Sequence, residues 1–194
     1  MSHDTTAINR TLARFPGRQR IWLFGYGSLI YKADFPYLER RQAHIHGWTR
    51  RFWQGSHDHR GTPEAPGRVV TLVAEPDAVC VGMAYLIAPA VFDHLDHREK
   101  NGYLRVATEF TFADGSHAEG LIYIAGSDNA AYLGPAPEID IARHIASSSG
   151  PSGPNREYLT RLAAALRAMG ADDAHVFAIE RHLIMLDTNG AREP

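Results

Sequence analysis

The 194-residue sequence has a single cysteine, no excess of basic residues and no long apolar run. One cysteine, Cys80, cannot form an intramolecular disulfide, so a reducing compartment is the simplest interpretation. A formal net charge of -2 argues against a nucleic-acid surface, which usually carries a clear basic excess. No apolar stretch approaches the ~20 residues of a membrane span, and residues 1–20 lack the apolar core of a signal peptide. We therefore expect a cytoplasmic protein with no nucleic-acid or membrane partner.

The pattern along the chain predicts a β-rich first part and a helical second part. Up to about Gly126, short apolar or alternating segments are separated by turn signals. One of them, 79–87, is apolar on both faces, which favours a small barrel or a sheet covered by helices. After Gly126, apolar residues recur at helical spacing, so the fold class is α+β. The predicted divisions are an adaptable N-terminal arm (1–19), one domain (20–187) and a C-terminal tail (188–194).

Local signals predict where several elements begin and end. Glu75-Pro76-Asp77-Ala78 indicates a turn between two strands, and Asp114-Gly115 indicates a hairpin. Asn155 is a candidate cap for one C-terminal helix, which Gly170 would end. Asp172 or Asp173 would cap the last helix.

A glycine-bearing loop, Phe24-Gly25-Tyr26-Gly27-Ser28-Leu29, directly follows the apolar run Ile21–Leu23. Its glycines allow a sharp turn and bring backbone N–H groups close to a small ligand, as in anion or oxyanion sites. The loop is not a dinucleotide fingerprint, because Ile30 stands where a third glycine is needed. Ser28 also lacks the frame of a nucleophile elbow. On local sequence alone, a purely structural turn explains the loop equally well.

Glu99 is the second candidate, within the charged segment Asp96–Tyr103. The segment follows an apolar helix pattern and precedes Gly102-Tyr103, a transition of the kind where functional residues collect, although a solvated charge is the alternative. Three histidine pairs have metal-like spacing but lack a third ligand in a plausible frame, so we predict no metal. These pairs are His44/His46, His57/His59 and His94/His97.

Six segments in the same order resemble the ChaC family of γ-glutamylcyclotransferases, and the resemblance spans roughly residues 21–186. The segments are Phe24–Ile30; Arg50–Ser56 with Asp58–Gly61; Pro66–Leu72; Arg98–Tyr103; Tyr132–Pro137; and Gly150–Gly153 followed by Asn155, Tyr158 and Leu159.

The resemblance implies a small γ-glutamylcyclotransferase-like β-barrel with flanking C-terminal helices, and cleavage of glutathione to 5-oxoproline and cysteinylglycine. By position, it makes Glu99 the catalytic acid/base. The implied substrate-binding residues are Leu23, Phe24, Gly25, Tyr26, Gly27 and Ser28. Further possible substrate contacts are Arg60, Arg68, Tyr103 and Tyr158, either arginine being a candidate fork for the glycine carboxylate of glutathione.

The implied reaction needs no cofactor, because the α-amine of a γ-glutamyl group can attack its own γ-carbonyl and close a five-membered lactam. It needs a proton acceptor, which Glu99 can provide, and hydrogen-bond donors to the oxyanion, which the loop can provide. We expect the charges of Arg98 and Lys100 to face away from Glu99. Two other functions stay open: a binding module without turnover, and cyclisation of γ-glutamyl amines or γ-glutamyl amino acids. Glu99 favours an enzyme, since a binding module has no need of a base.

Overall fold

A computed structural model describes residues 4–12 and 17–190. Residues 1–3 and 13–16 of the predicted arm and 191–194 of the predicted tail lie outside them. The long strands of the described chain are β1 (Ile21–Gly25), β2 (Glu39–Ser56), β3 (Gly67–Ile87), β4 (Tyr103–Phe112) and β5 (His117–Ala125). They form a closed barrel in the order β1, β3, β2, β4, β5, which confirms the predicted barrel.

Helices flank the barrel strands in the sequence, and most of them follow β5. The helices in the described residues are α1 (Thr6–Asn9), α2 (Val91–Arg98), α3 (Glu138–Ser147), α4 (Asn155–Ala168) and α5 (Ala174–Gly190). A two-residue strand pair, β6 (Ser149–Gly150) and β7 (Gly153–Pro154), connects α3 to α4. The order of elements confirms the predicted α+β class. No helix within residues 4–12 and 17–190 combines the length and apolar character needed to cross a membrane.

The chain divides into two compact units, of which the first comprises the described residues of Met1–Thr49 and Leu72–Ala130. Here β1 runs antiparallel to β3 and parallel to β5, so Leu23 lies between Tyr85 and Leu121. The core is apolar, and its fully buried side chains include Leu23, Phe24, Tyr85, Leu95, Phe110 and Leu121. Residues 82–85 of β3 are all buried, as the two-sided apolar pattern predicts.

The second unit comprises Arg50–Thr71 and the described residues of Ala131–Pro194. It therefore contains the ends of β2 and β3 together with the C-terminal helices. Both α3 and α4 pack against α5. Their apolar faces form the core, which includes Ile141, Leu159, Leu162, Val176 and Ile179, all fully buried.

The turn predicted at Glu75–Ala78 is wrong, because β3 continues through these residues. Glu75, Pro76 and Asp77 are exposed, and a proline is tolerated in a strand where its missing N–H is not needed for the ladder. The Asp114-Gly115 hairpin is confirmed. Gly115 has a positive φ of 79°, and Asp114 accepts a hydrogen bond from the backbone N–H of Ser116.

The prediction that Asn155 caps α4 is wrong. Asn155 is the first residue of the helix and is fully buried. Its side chain accepts a hydrogen bond from the backbone N–H of Arg68 (2.7 Å) and donates one to the Arg68 carbonyl (2.8 Å). Buried backbone groups require such partners, and the sequence does not show which distant residue needs them. The other two helix predictions are confirmed. Gly170, with a φ of 66°, follows the end of α4, and Asp173 accepts from the N–H of Val176 at the start of α5 (3.0 Å).

Candidate active site

The loop after β1 requires glycine because its backbone folds back closely on itself. β1 ends at Gly25, and a single 3₁₀ turn, Ser28–Ile30, begins three residues later. A Cβ atom at Gly25 would lie 2.5 Å from the Cβ of Leu29, so no larger residue fits without a shift. The strand and the turn thus hold the backbone of Tyr26 and Gly27 between them, as a cradle for a small polar group requires.

Three side chains of the predicted substrate-binding loop are buried in the first unit. Leu23 and Phe24 are fully buried, and the ring of Phe24 lies 5.4 Å from that of Phe110. The Tyr26 hydroxyl donates a hydrogen bond to the carbonyl of Tyr123 (2.7 Å). These side chains fix the loop, so any substrate contact from these three residues would use their backbone. Substrate binding by Leu23–Ser28 stays a prediction.

Tyr85 fixes the far end of the loop. Its buried hydroxyl donates a hydrogen bond to the carbonyl of Leu29 (2.6 Å). Burial raises the pKa of Tyr85, so the hydroxyl keeps the proton that it donates. The sequence gives no sign of this role, because Tyr85 is one large residue among several on an alternating strand.

Glu99 lies directly after the last turn of α2. Its backbone N–H donates to the carbonyl of Leu95 (2.8 Å), which ends the helix. Its side chain is only 18% exposed. A carboxylate in such a place is partly removed from water and needs a partner of opposite charge.

Arg98 provides that charge, so the expectation that it faces away from Glu99 is wrong. Its Nε lies 3.2 Å from Oε1 of Glu99, and its Nη2 donates to Oγ of Ser28 (2.9 Å). Its Nη1 pairs with Asp34, and the side chain is 13% exposed. Neighbouring residues on a helix do not face each other, but Glu99 lies just outside α2 and can meet Arg98. The planar guanidinium thus joins the loop to Glu99.

A buried polar network, which the sequence analysis missed, lies beside this pair. Asp96 is fully buried and receives hydrogen bonds from Arg105 Nε (2.8 Å) and the Tyr123 hydroxyl (2.6 Å). Burial is the largest cause of a raised pKa at Tyr123, followed by the bond to Asp96, and the charge of Glu99 adds to the shift. Tyr123 therefore stays protonated. Its carbonyl accepts from Tyr26, so the network connects α2 to the loop.

Tyr103, a predicted substrate contact, is the first residue of β4 and is buried. Its carbonyl accepts hydrogen bonds from Oγ1 of Thr5 (2.8 Å) and Nδ2 of Asn9 (2.9 Å). These contacts hold the backbone beyond Glu99, and a substrate contact by Tyr103 stays a prediction.

The predicted residues Arg60, Arg68 and Tyr158 belong to the second unit, where each has a structural contact. Nη1 of Arg60 donates to the carbonyl of Pro154 (3.1 Å), and Nη1 of Arg68 donates to those of Phe52 (2.9 Å) and Gly134 (3.0 Å). The Tyr158 hydroxyl accepts from the N–H of Val70 (3.4 Å).

Burial lowers the pKa of Arg68, and its buried Nε has no hydrogen-bond partner within the described residues. A buried donor of this kind suits an anionic ligand. A role for Arg60 or Arg68 in holding the glycine carboxylate stays a prediction.

The histidine pairs do not assemble a metal site in the part of the chain that the structure describes. No group of three or more histidine, cysteine, aspartate or glutamate residues there could hold a metal ion. The rings of His44 and His46 lie 5.0 Å apart, and burial followed by the charge of His46 lowers the pKa of His44. Nδ1 of His59 lies 3.0 Å from Oγ of Ser152.

Comparison with known proteins connects this geometry to a family. The family model described as ChaC-like protein matches residues 21–185. Gamma-glutamylcyclotransferase 2-3 of Arabidopsis thaliana is 46% identical over 168 residues, covering 80% of this chain and 84% of the relative. Glutathione-specific gamma-glutamylcyclotransferase 1 of Danio rerio is 43% identical over 179 residues, covering 87% of this chain and 91% of the relative.

A solved structure agrees with the sequence relatives. The crystal structure of a selenomethionine-labelled γ-glutamyl cyclotransferase specific to glutathione, from yeast, matches with a TM-score of 0.81. The two sequences are 33% identical, and the match covers 87% of this chain and 97% of that one. The matched family model spans the loop, Arg98 and Glu99, and the fold agrees over most of both chains. The chain therefore belongs to the ChaC-like protein family.

Proposed function

We propose that this protein is a glutathione-specific γ-glutamylcyclotransferase that releases 5-oxoproline and cysteinylglycine. The observation that carries the proposal is the link through Arg98, which contacts Ser28 of the loop and Glu99 at once. This link supports the proposal because it brings the loop and the Glu99 carboxylate into one part of the first unit. The names of relatives that are 43% and 40% identical support glutathione as the substrate.

The proposed reaction consumes no co-reactant. The α-amine attacks the γ-carbonyl carbon of the same glutamyl residue, and the new C–N bond closes a five-membered lactam. The C–N bond to the cysteine residue then breaks. The α-ammonium, whose ordinary pKa is about 7.7–8.0, loses one proton before attack, and the same nitrogen loses a second proton as the lactam forms. The nitrogen of the cysteine residue gains one proton as the C–N bond breaks and a second as it leaves as an ammonium. The protons therefore balance, and one group that accepts a proton and then returns it can serve the whole reaction.

Glu99 can perform both proton transfers. Arg98 stabilises its ionised form, which is the form that accepts a proton from the α-ammonium. The protonated carboxyl can then donate to the departing nitrogen. General acid–base catalysis of this kind commonly contributes on the order of 10²–10⁴ in rate.

The loop supplies binding and oxyanion stabilisation in this proposal. Backbone N–H groups between Gly25 and Ser28 hold the α-carboxylate and the developing oxyanion, and one such donor commonly contributes roughly 10²–10³ in rate. The hydrogen bonds of Tyr26 and Tyr85 hold the two ends of the loop before substrate arrives. A cradle fixed in advance loses little free energy to reorganisation during the reaction.

The deciding experiment is incubation of the purified protein with reduced glutathione, followed by mass spectrometry for 5-oxoproline and cysteinylglycine in equal amounts. Parallel reactions contain a γ-glutamyl amino acid or a γ-glutamyl amine. A matched pair of variants, Glu99→Gln and Glu64→Gln, separates a catalytic carboxylate from an exposed one. We expect product from glutathione with the wild type and Glu64→Gln, and little with Glu99→Gln.

Other outcomes distinguish the alternatives. Glutathione binding without product would indicate a binding module, and faster turnover of a γ-glutamyl amine would assign a different substrate. A chelator should leave the rate unchanged, since no proposed step uses a metal. Loss of activity with the chelator and recovery with zinc would contradict that mechanism. We also expect a cytoplasmic location, which imaging of the tagged protein in cells of the source organism can test.

A further inference from the structure

Residues Asp4–Asn9, here called the N-terminal segment, precede the 21–185 region matched by the family model. They nevertheless bind the chain on the C-terminal side of Glu99. Asp4 forms an antiparallel bridge with Asn101, and the N–H of Thr5 donates to the carbonyl of Lys100 (2.9 Å). The segment therefore pairs with the residues that directly follow Glu99.

Asn9 makes the most specific of these contacts. Its side chain is fully buried. Nδ2 donates to the carbonyl of Tyr103 (2.9 Å), and Oδ1 accepts from the N–H of Arg105 (2.9 Å). A primary amide offers a donor and an acceptor in one plane, so it satisfies two backbone groups of β4 as a neighbouring strand would.

Arg105 also connects Asn9 to α2, the helix on the N-terminal side of Glu99. The Arg105 side chain pairs with Asp96 in the last turn of α2, while the Arg105 backbone is bound by Asn9. Glu99 thus lies between two fixed points, the end of α2 and the start of β4. Few residues separate them, and Gly102 among these has a positive φ of 87°.

We propose that the N-terminal segment positions Glu99 for proton transfer, with Asn9 as the principal positioning residue. This inference rests on the proposed function. Asn9 acts through the backbone of Tyr103 and Arg105 and does not touch the reacting atoms. Without these bonds the turn that carries Glu99 shifts, while the substrate cradle between Gly25 and Ser28 keeps its own anchors on Tyr123 and Tyr85.

The test compares Asn9→Ala with Ile8→Ala in the full chain. Ile8 belongs to the same helix, but its side chain is 51% exposed, so it controls for changes to α1 itself. Steady-state kinetics with glutathione are measured well below the melting temperature of each variant. We expect Asn9→Ala to lower kcat ~10- to 100-fold, as a misplacement on the order of 1 Å can do, with KM nearly unchanged. Ile8→Ala should behave as the wild type.

Hydrogen exchange provides a readout that does not depend on activity. In Asn9→Ala, the amides of residues 99–105 should exchange faster, whereas those of α4 should keep wild-type protection. Asn9→Asp retains the acceptor for the Arg105 N–H but presents an oxygen to the Tyr103 carbonyl in place of the amide donor, so it should restore neither the protection nor kcat.

The outcomes separate positioning from simple stability and from a failure of the proposed function. Normal kcat in folded Asn9→Ala would overturn the proposal. A loss of kcat that follows the unfolded fraction, with faster exchange in α4 as well, would also overturn it. If the wild type does not turn over glutathione, the proposed function fails. Exchange at residues 99–105 then decides alone whether Asn9 holds this turn.

Discussion

Glu99 has to meet two opposing requirements, and its neighbour Arg98 determines the compromise between them. A proton acceptor works best in a dry site, where the charged carboxylate is costly. The Arg98 guanidinium offsets that cost at 3.2 Å and is itself held by Ser28 and Asp34. In the proposed reaction, the proton-transferring unit at the residue scale is therefore the pair rather than the carboxylate alone.

Glu99→Gln should lower kcat by at least ~10²-fold, the low end of a general acid–base contribution. The amide keeps nearly the same size but cannot take the proton. KM should change little, because the proposed mechanism assigns binding mainly to the loop, and glutathione should still raise the melting temperature of the variant. Stopped assays give the rate, and thermal melts with and without glutathione give binding. Near-normal kcat would move the base to another residue, such as Tyr158 or a histidine.

Arg98→Ala should lower kcat roughly 10- to 100-fold, because hydrogen bonds to charged groups contribute about 1.5–3 kcal/mol each. Arg98→Lys should recover only part of this, since an ammonium lacks the planar fork. Arg143→Ala, which breaks an exposed ion pair with Asp140, is the surface control. In a double-mutant cycle, Arg98→Ala should add little to Glu99→Gln. Additive losses would show that Arg98 acts independently of Glu99.

At this scale the sequence pointed to candidate site residues but not to the side chains and backbone groups that they contact. Gly25, Ser28 and Glu99 stand out because their local patterns are unusual. Asp96, Arg105 and Tyr123 do not, because their network depends on how α2 approaches β4 and β5. The orientation of Arg98 was wrongly predicted because it depends on where α2 ends, and helix ends are the least certain feature of a sequence pattern.

Among the elements, the loop after β1 depends on two distant tyrosines. Tyr26 attaches it to Tyr123 on β5, and Tyr85 of β3 attaches it at Leu29. The barrel brings both partners near because β1 lies between β3 and β5. The loop is therefore held by the strand order.

Tyr85→Phe should lower the free energy of unfolding by about 1–3 kcal/mol, because the buried Leu29 carbonyl loses its partner. The loosened loop should also lower kcat/KM roughly tenfold, equivalent to about 1.4 kcal/mol. Tyr37→Phe is a matched control, since that side chain is 47% exposed. Urea unfolding and initial rates measure the two effects. Lower stability with unchanged kcat/KM would separate Tyr85 from the site.

Sequence patterns predicted the elements well where periodicity and caps agree, as at Gly115, Gly170 and Asp173. They failed at Glu75–Ala78 and at Asn155. A proline in an exposed part of a strand and an asparagine that binds a distant backbone both resemble local signals. Only tertiary contacts decide between those interpretations.

For the whole molecule, His175 should make stability depend on pH. Its Nε2 accepts from the N–H of Phe52 (3.1 Å), so Nδ1 carries the proton and donates to Glu138 (3.1 Å). Burial is the largest cause of a lowered pKa, so the folded state favours the neutral ring. The stability that the neutral His175 ring contributes is therefore present in full above its pKa in the unfolded state, about 6.5. This stability is lost as the pH falls through the lower pKa of the folded state.

Urea unfolding at pH 7.5 and pH 5 tests this dependence. The unfolding free energy of the wild type should fall at the lower pH, and His175→Gln, whose amide oxygen can still accept from Phe52, should show a smaller fall. The exposed His46 provides the control, and His46→Gln should keep the wild-type difference. Equal pH dependence in wild type and His175→Gln would assign the effect to other groups.

The second unit is discontinuous in sequence, since Arg50–Thr71 is separated from Ala131–Pro194 by a long stretch of the first unit. Arg68 binds Gly134 and Asn155, which are synthesised much later. At ribosomal rates of about 5–20 residues per second, several seconds or longer pass between the synthesis of Arg50–Thr71 and that of the rest of its unit. Its apolar side chains, such as Phe52, are open to chaperones during that interval. Nascent chains stalled shortly after Ala130 should therefore be the form that ribosome-associated chaperones bind most strongly.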